Sequence, residues 1–310
     1  MNKITIAICT DENYALNGAM TLYSAAINVK ENTIINAYVV DAGIKTKTRK
    51  RFERTLDLPN VSLSWLKIDL SNFVDLPISP WTSKAAHVRL MLPGLLAGKR
   101  DKLLYLDSDM MVLGDISKLW EIPMNGICIL ACQDGKYPQV ENCQARDILV
   151  ELGMKLSDPY FNSGLLLINI LRWQKLGITK KTIRLLQEKG VLFSHKNQDA
   201  LNVVLLNEWN PIDIIWNVGT PHFFSSSNFD KNKNIVEKAQ IIHFTGRPPG
   251  FAGCVHPRKQ QFNIHVKKSG WFIYPEYLLW KLELIWKNLI FDFKKLISGF
   301  LRKIKSSLQQ

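Results

Sequence analysis

Residues 102–109 read Lys-Leu-Leu-Tyr-Leu-Asp-Ser-Asp, an apolar run that ends at once in two carboxylates. Consecutive bulky side chains at Leu103, Leu104, Tyr105 and Leu106 predict a strand buried on both faces, the kind found inside a mostly parallel sheet. Side chains of an extended segment repeat every two residues, so Asp107 and Asp109 project together from its carboxyl end. Open α/β sheets bind their ligands at that end. Neighbouring carboxylates repel, a divalent cation removes the repulsion, and oxygen donors suit Mg²⁺ or Mn²⁺, which also bridge diphosphates. A solvated acidic turn is the competing reading, because Asp-x-Asp is short enough to arise by chance.

Upstream, β-rich runs at residues 4–9, 35–40 and 61–66 alternate with helical patterns at 19–28 and 46–58. This βαβαβ order predicts an α/β fold with helices on the faces of a parallel sheet. Asp11, Glu12 and Asn13 fall at the carboxyl end of the first strand. A helix over residues 85–92 is predicted to stop at Pro93-Gly94. Downstream lie predicted strands at 127–131 and 165–170, with a polar loop between them to about Tyr160. Helices follow near 171–173 and at 179–189, and a later strand at 239–242 is closed by His243. No internal repeat or low-complexity segment breaks this order.

The 310 residues are 46% hydrophobic and 22% charged, a composition that folds. Forty Lys and Arg against 27 Asp and Glu leave a net charge of +13. That balance favours nucleic acid, anionic lipid or a phosphorylated substrate, and equally describes a solvated basic face. The cysteines Cys9, Cys128, Cys132, Cys143 and Cys254 lack the paired spacing of a structural zinc site and read as reduced thiols of a cytosolic protein. The N-terminus shows no cleavable signal pattern, and no charge-free apolar stretch reaches the length of a membrane span. Residues 1–270 read as one domain and 271–310 as a basic helical tail. In the tail Leu278, Leu282, Ile285, Leu289, Phe293, Leu296, Phe300 and Ile304 recur at helical spacing between Lys281, Lys287, Lys294, Lys295, Arg302, Lys303 and Lys305. With Trp280 and Trp286 this is the composition of a helix lying on an anionic membrane. A helix docked on its own domain with its lysines in water is the other reading.

A strand ending in Asp-x-Asp also occurs in phosphatases of the haloacid dehalogenase type, but near the N-terminus and followed two places later by Thr or Val, where this chain has Met111. The chain instead resembles glycosyltransferase family 8, which includes bacterial lipopolysaccharide galactosyl- and glucosyltransferases and glycogenin. The resemblance covers about residues 3–250. It rests on Thr10-Asp-Glu-Asn-Tyr14, Val39-Val-Asp-Ala-Gly43, Arg89-Leu90, Tyr105-Leu-Asp-Ser-Asp109, Phe161-Asn-Ser-Gly-Leu-Leu-Leu-Ile-Asn169, Asn197-Gln-Asp-Ala-Leu-Asn202 and Ile242-His-Phe-Thr-Gly246, in the family's order.

The resemblance implies a GT-A fold that takes a UDP-sugar and transfers the sugar with retention at the anomeric carbon. Asp11 and Asn13 would contact uracil and ribose. Asp107, Asp109 and His243 would hold Mn²⁺, with Mg²⁺ as the substitute, against the diphosphate. Arg89, Ser108, Asn162, Ser163, Gly164 and Gly246 would surround the donor. Read from the residues alone, His243 is a structural histidine, Arg89 a surface helix residue and Asn162-Ser163-Gly164 a turn before a strand.

Gln198 takes the position that the family places beneath the anomeric carbon. An amide is a poor nucleophile, so front-face substitution is expected, with a phosphate oxygen taking the acceptor's proton. This chain departs from the family at Asn197, where an acidic residue usually recognises donor hydroxyls. It departs again at Arg247-Pro-Pro-Gly-Phe251, where a Lys-Pro-Trp segment is usual and Arg247 would supply the charge instead. Galactose or glucose is the expected sugar, and a glycan or glycolipid, such as a lipopolysaccharide core, the expected acceptor. The expected location is the cytoplasmic face of the membrane, held through the tail, with no nucleic-acid partner. A glycosylated surface protein as acceptor, and a non-catalytic basic module binding lipid or nucleic acid, are the alternatives. Asp134 lies on the stretch expected to face the acceptor, although a surface aspartate fits the sequence as well.

Overall fold

The computed structural model describes residues 2–68, 76, 87–224 and 229–307. The N-terminal segments form β1 (Asn2–Thr10), α1 (Ala15–Asn28), β2 (Thr33–Asp41), α2 (Thr46–Thr55) and β3 (Val61–Lys67), the expected βαβαβ order. Then come β4 (Lys102–Leu106), β5 (Met110–Val112), β6 (Ile129–Gln133), β7 (Phe161–Asn169), β8 (Trp209–Ile212), β9 (Val218–Gly219) and β10 (Ile241–His243). Seven of them form one sheet in the order β3-β2-β1-β4-β7-β6-β8, and β5-β10-β9 form a small second sheet. β1 to β4 pair in parallel, β7 runs antiparallel to both its neighbours, and β8 is parallel to β6. The fold is therefore a mixed, mostly parallel α/β sheet.

β4 alternates between two apolar layers. Leu104 and Leu106 pack with Ile4, Ile6, Ile8 and α1 on one face, while Leu103 and Tyr105 pack with Ala7, Tyr160 and Trp173 on the other. All four are at most 2% exposed, and each fully buried aliphatic side chain contributes roughly 1.5–3 kcal/mol. This double burial fixes where β4 ends and hence where Asp107 begins.

Three local features differ from expectation. Residues 85 and 86 of the helix expected over 85–92 lie outside those described, and from residue 87 the chain runs through a 3₁₀ turn at Arg89–Met91 into a helical turn at Leu92–Leu95 that contains Pro93 and Gly94. Proline starts that turn rather than stopping it, because the first-turn N–H it lacks has no helical partner anyway. β7 begins at Phe161, so Asn162, Ser163 and Gly164 belong to the strand and not to a turn before it. The register with β6 slips between Ala131 and Gln133, which pairs with Phe161, and the Asn202 side chain accepts from Phe161 N–H and donates to its carbonyl. The short strands β5, β8 and β9 have too few residues to show a period in sequence.

Further along lie α3 (Ile178–Lys189), α4 (Asn197–Val204), α5 (Lys259–Lys268) and α6 (Glu276–Ser307). The start of α6 is tied to α2. Arg51 pairs with Glu276 at 2.7 Å, Arg54 donates to the carbonyls of Gly270 and Trp271, and Trp271 packs edge-on against Phe52. Farther on, Leu282, Trp286, Phe293 and Leu296 are 62–71% exposed. Among the described residues no helix is long and apolar enough to cross a membrane. The five cysteines are buried and free, and burial pushes the Cys9 thiol up to about 12.

Candidate active site

The carboxyl ends of β1 and β4 open onto a cavity of about 920 Å³. Its first element is set by strand pairing between distant stretches of chain. β10 lies antiparallel to β5 with His243 opposite Met110, and Phe244 N–H donates to the Asp109 carbonyl at 2.9 Å. His243 Nε2 thereby sits 3.3 Å from Asp109 Oδ1 and 3.9 Å from Asp107 Oδ2. One donor atom from each of the three side chains lies within 4.8 Å of the others.

The remaining contacts of these groups are divided by atom. Asp107 Oδ1 accepts from the Tyr105 hydroxyl at 2.5 Å and pairs with Arg89 at 3.1 Å, leaving Oδ2 on the side of the imidazole. Arg89 also donates to the Ser163 carbonyl and lies over the Tyr105 ring. Burial raises the Asp107 pKa more than Arg89 lowers it, and Asp109 adds to the rise. Burial lowers that of His243, but the carboxylates of Asp109 and Asp107 more than reverse this, so the imidazole also holds its proton above its ordinary value. The shifts have different causes, burial for the carboxyl and neighbouring opposite charge for the imidazole. Two carboxylate oxygens and one imidazole nitrogen are a donor set that would suit a divalent cation such as Mn²⁺ or Mg²⁺.

Gly164 makes this packing possible. A Cβ there would stand 2.4 Å from His243 Cε1 and 3.0 Å from Asp107 Oδ2. Beside it, Gln198 is held at both ends of its amide: Oε1 accepts from Ser163 N–H at 3.0 Å and Nε2 donates to Asp134 Oδ2 at 3.1 Å. Asp134 is 7% exposed, not a surface residue, and accepts from Asn162, Gln198 and the backbone N–H groups of Lys136 and Tyr137. Gln198 and Asn197 open α4. The preceding Lys196 takes a left-handed φ of 40°, its buried ammonium donating to the Gly190, Val191 and Phe193 carbonyls. Asn197 Oδ1 meets the Nδ1 of buried His87 at 2.5 Å.

Of the residues singled out in the sequence, Asp107, Asp109, His243, Arg89, Asn162, Ser163, Asn197, Gln198 and Gly246 line the cavity. Five others do not. Asp11 caps the turn into α1 by accepting from Asn13 and Tyr14 N–H, and Asn13 is exposed beside it. Ser108 points into the core and donates to the Cys9 carbonyl, and Gly164 lies beneath His243. Arg247 lies over the Phe291 ring of α6 and donates to the Ala252 carbonyl. Sequence reasoning passed over Tyr14, Tyr137, His195 and Asn217, which also line the cavity. Burial and three neighbouring carboxylates push the Tyr14 phenol up to about 12. For Asn217 the available signal was a lone amide after the apolar Ile214-Ile215-Trp216.

A sequence profile described as "Glycosyl transferase family 8" matches residues 5–248, most of the chain and all of this site except the tail that touches Arg247. The chain belongs to glycosyltransferase family 8. Among its relatives, this family 8 enzyme is 28% identical over 280 residues to General stress protein A of Bacillus subtilis, covering 86% of this chain and 94% of that protein. It is 26% identical to a lipopolysaccharide 1,2-glucosyltransferase of Escherichia coli over 86% of this chain and 79% of that one. The galactosyltransferase LgtC, solved with donor and acceptor sugar analogs, superposes with a TM-score of 0.75 at 22% identity, over 89% of this chain and 100% of the other. That likeness shows the GT-A fold, and family membership makes the protein a glycosyltransferase.

Two outcomes follow from the geometry. Gly164→Ala is expected to displace His243 and to weaken divalent-metal binding about 10–100-fold while the enzyme stays folded, measured by calorimetry with circular dichroism as the control. An ion needs the imidazole neutral and Asp107 ionised, and both groups keep their protons to a higher pH than usual. Affinity is therefore full at alkaline pH and lost as pH falls through a midpoint above the ordinary 6.5 of histidine. Mn²⁺ titrations from about pH 5 to pH 8 should show this fall, and a flat profile would contradict the assignment.

Proposed function

We propose that this enzyme transfers a hexose, galactose or glucose, from a UDP-sugar to a hydroxyl of a cell-surface glycan such as a lipopolysaccharide core, with retention and with Mn²⁺ as cofactor. The observation that carries this reading is the convergence of Asp107, Asp109 and His243 at one point of the cavity wall. Bound there, the ion would act as a Lewis acid toward the departing diphosphate. Arg89, buried and paired with Asp107, holds that carboxylate's orientation and adds positive charge at the cavity wall.

The rest of the cavity argues for direct front-face substitution. Asp134, the carboxylate to which Gln198 donates, already accepts four hydrogen bonds, which fill its lone-pair sites and make it a poor nucleophile or base. Gln198 Oε1 is likewise engaged by Ser163 N–H. With both groups spent on structure, the acceptor hydroxyl attacks on the side from which the diphosphate leaves, and a phosphate oxygen takes its proton. Asn197, at the position where family resemblance leads one to expect an acid, lines the same cavity as Gln198 and would contact the donor sugar.

The glycan acceptor is supported by the relatives whose names specify lipopolysaccharide glucosyl and galactosyl transfer. Attachment to the cytoplasmic face of the membrane is supported by α6, on which Leu282, Ile285, Trp286, Leu289, Phe293 and Leu296 are exposed beside Lys287, Lys294, Lys295 and Arg302. Uncovered rings and aliphatic chains bordered by cations match an anionic lipid interface, each cation adding about 1 kcal/mol there.

A panel of UDP-sugars incubated with enzyme and Mn²⁺ should show slow hydrolysis of one hexose donor, and Asp109→Ala should lower that rate by about 10²-fold or more without unfolding the protein. Full activity of the variant with metal still required would refute the metal assignment. For the tail, the full-length triple variant Leu282→Glu, Trp286→Glu, Phe293→Glu should lose binding to anionic vesicles that the native enzyme shows. Equal partitioning of both proteins would reject the membrane role.

A further inference from the structure

We infer that Asn217 is the positioning residue that fixes His243 with its proton on Nδ1, so that the lone pair of Nε2 faces Asp107 and Asp109. The inference rests on the metal site proposed above and adds the group that prepares it.

The chain of bonds has only one consistent polarity. Gly164 N–H, a backbone donor that cannot act as an acceptor, donates to Asn162 Oδ1 at 3.0 Å. Asn217 approaches the same oxygen at 2.9 Å and must present its Nδ2 amine there. Its Oδ1 is thereby turned to His243 Nδ1, 3.0 Å away, and an oxygen acceptor requires that nitrogen to carry the hydrogen. In the neutral ring the opposite nitrogen, Nε2, is then unprotonated, 3.3 Å from Asp109 Oδ1. Free histidine favours the other tautomer, so the protein selects this one.

Asn217 is 4% exposed and His243 5%, so water does not readily replace either bond. The residue sits between β9 and the 3₁₀ turn at Ile214–Trp216, and β9 pairs with β10 so that Val218 faces Ile242 and Gly219 faces His243. The small sheet that presents the imidazole through β5 and β10 thus delivers, through β9, the amide that orients it. Partners of this kind raise ligand basicity, and their loss typically costs about 10–100-fold in metal affinity.

Three measurements on the full-length protein test this. In metal-free native enzyme at alkaline pH, ¹⁵N NMR of His243, assigned by difference with His243→Gln, should show the Nδ1–H tautomer. Observation of the Nε2–H tautomer overturns the inference. Asn217→Ala should move the ring toward Nε2–H and weaken Mn²⁺ binding by about 10–100-fold in calorimetry. Asn217→Asp, which keeps an acceptor for Nδ1, should retain the native tautomer and bind Mn²⁺ more tightly than the alanine variant. Native affinity and native tautomer in Asn217→Ala would overturn the inference while leaving the metal site standing. If the native enzyme binds no Mn²⁺, the proposed function fails instead, and the tautomer result separates the two cases.

Discussion

The pairing of β5 with β10 is the constraint on which the site depends. Asp109 ends the segment that leads into β5, His243 ends β10, and the antiparallel register sets His243 opposite Met110. Because β4 is buried on both faces and cannot slide, the carboxylates are fixed from one side. Because β10 is anchored in a separate small sheet, the imidazole is fixed from the other. A one-residue slip would send His243 to the opposite face of its strand. The two sheets meet at the place where charge is concentrated: burial raises the pKa of Asp107, a cost of holding that carboxylate there, while attraction to the carboxylates raises that of His243.

A second constraint is directional. The backbone N–H groups of Ser163 and Gly164 point at two side-chain carbonyls, those of Gln198 and Asn162. Each contact removes an ambiguity that amide side chains otherwise carry. Gln198 is forced to donate toward Asp134, and Asn162, through Asn217, forces the ring of His243. The irregular start of β7 is what makes this possible. Where a regular strand would have spent those N–H groups on a neighbour, the slipped register leaves them for side chains. Gly164 adds the steric half of the same device, since only a residue without a Cβ admits His243 against the strand.

Legibility in the sequence follows the range of the interaction. β4 and its Asp-Ser-Asp end were readable because a doubly buried strand writes its environment as a continuous apolar run. β1, α1, β2, α2 and β3 were readable because their periods are local. His243 was not readable by period or spacing as a partner of Asp107 and Asp109, because the contact is made by strand pairing between distant segments; the family resemblance supplied it. Asp134 reads locally as a surface aspartate, because nothing near it in sequence shows that Asn162 and Gln198 bond to it. Asn217 is hidden for the same reason. Pro93 and Gly94 carried a true local signal whose outcome, a helix start rather than a stop, is set by which N–H groups have partners.

The position of Arg247 connects the site to the tail. The segment after β10 is where the charge for the diphosphate was expected, yet its guanidinium rests on Phe291 of α6, and Gly253 N–H in the same loop donates to Asn288 of that helix. A Cβ at Gly253 would collide with the Phe291 ring at 2.5 Å, so the loop is shaped to the helix. α6 is thus held at its start by α2 and in its middle by the loop that borders the cavity, while its other face carries exposed rings and aliphatic chains. Phe291 and Asn288 are therefore the two side chains through which α6 meets the loop that follows β10, and the guanidinium expected at the diphosphate is spent on that contact.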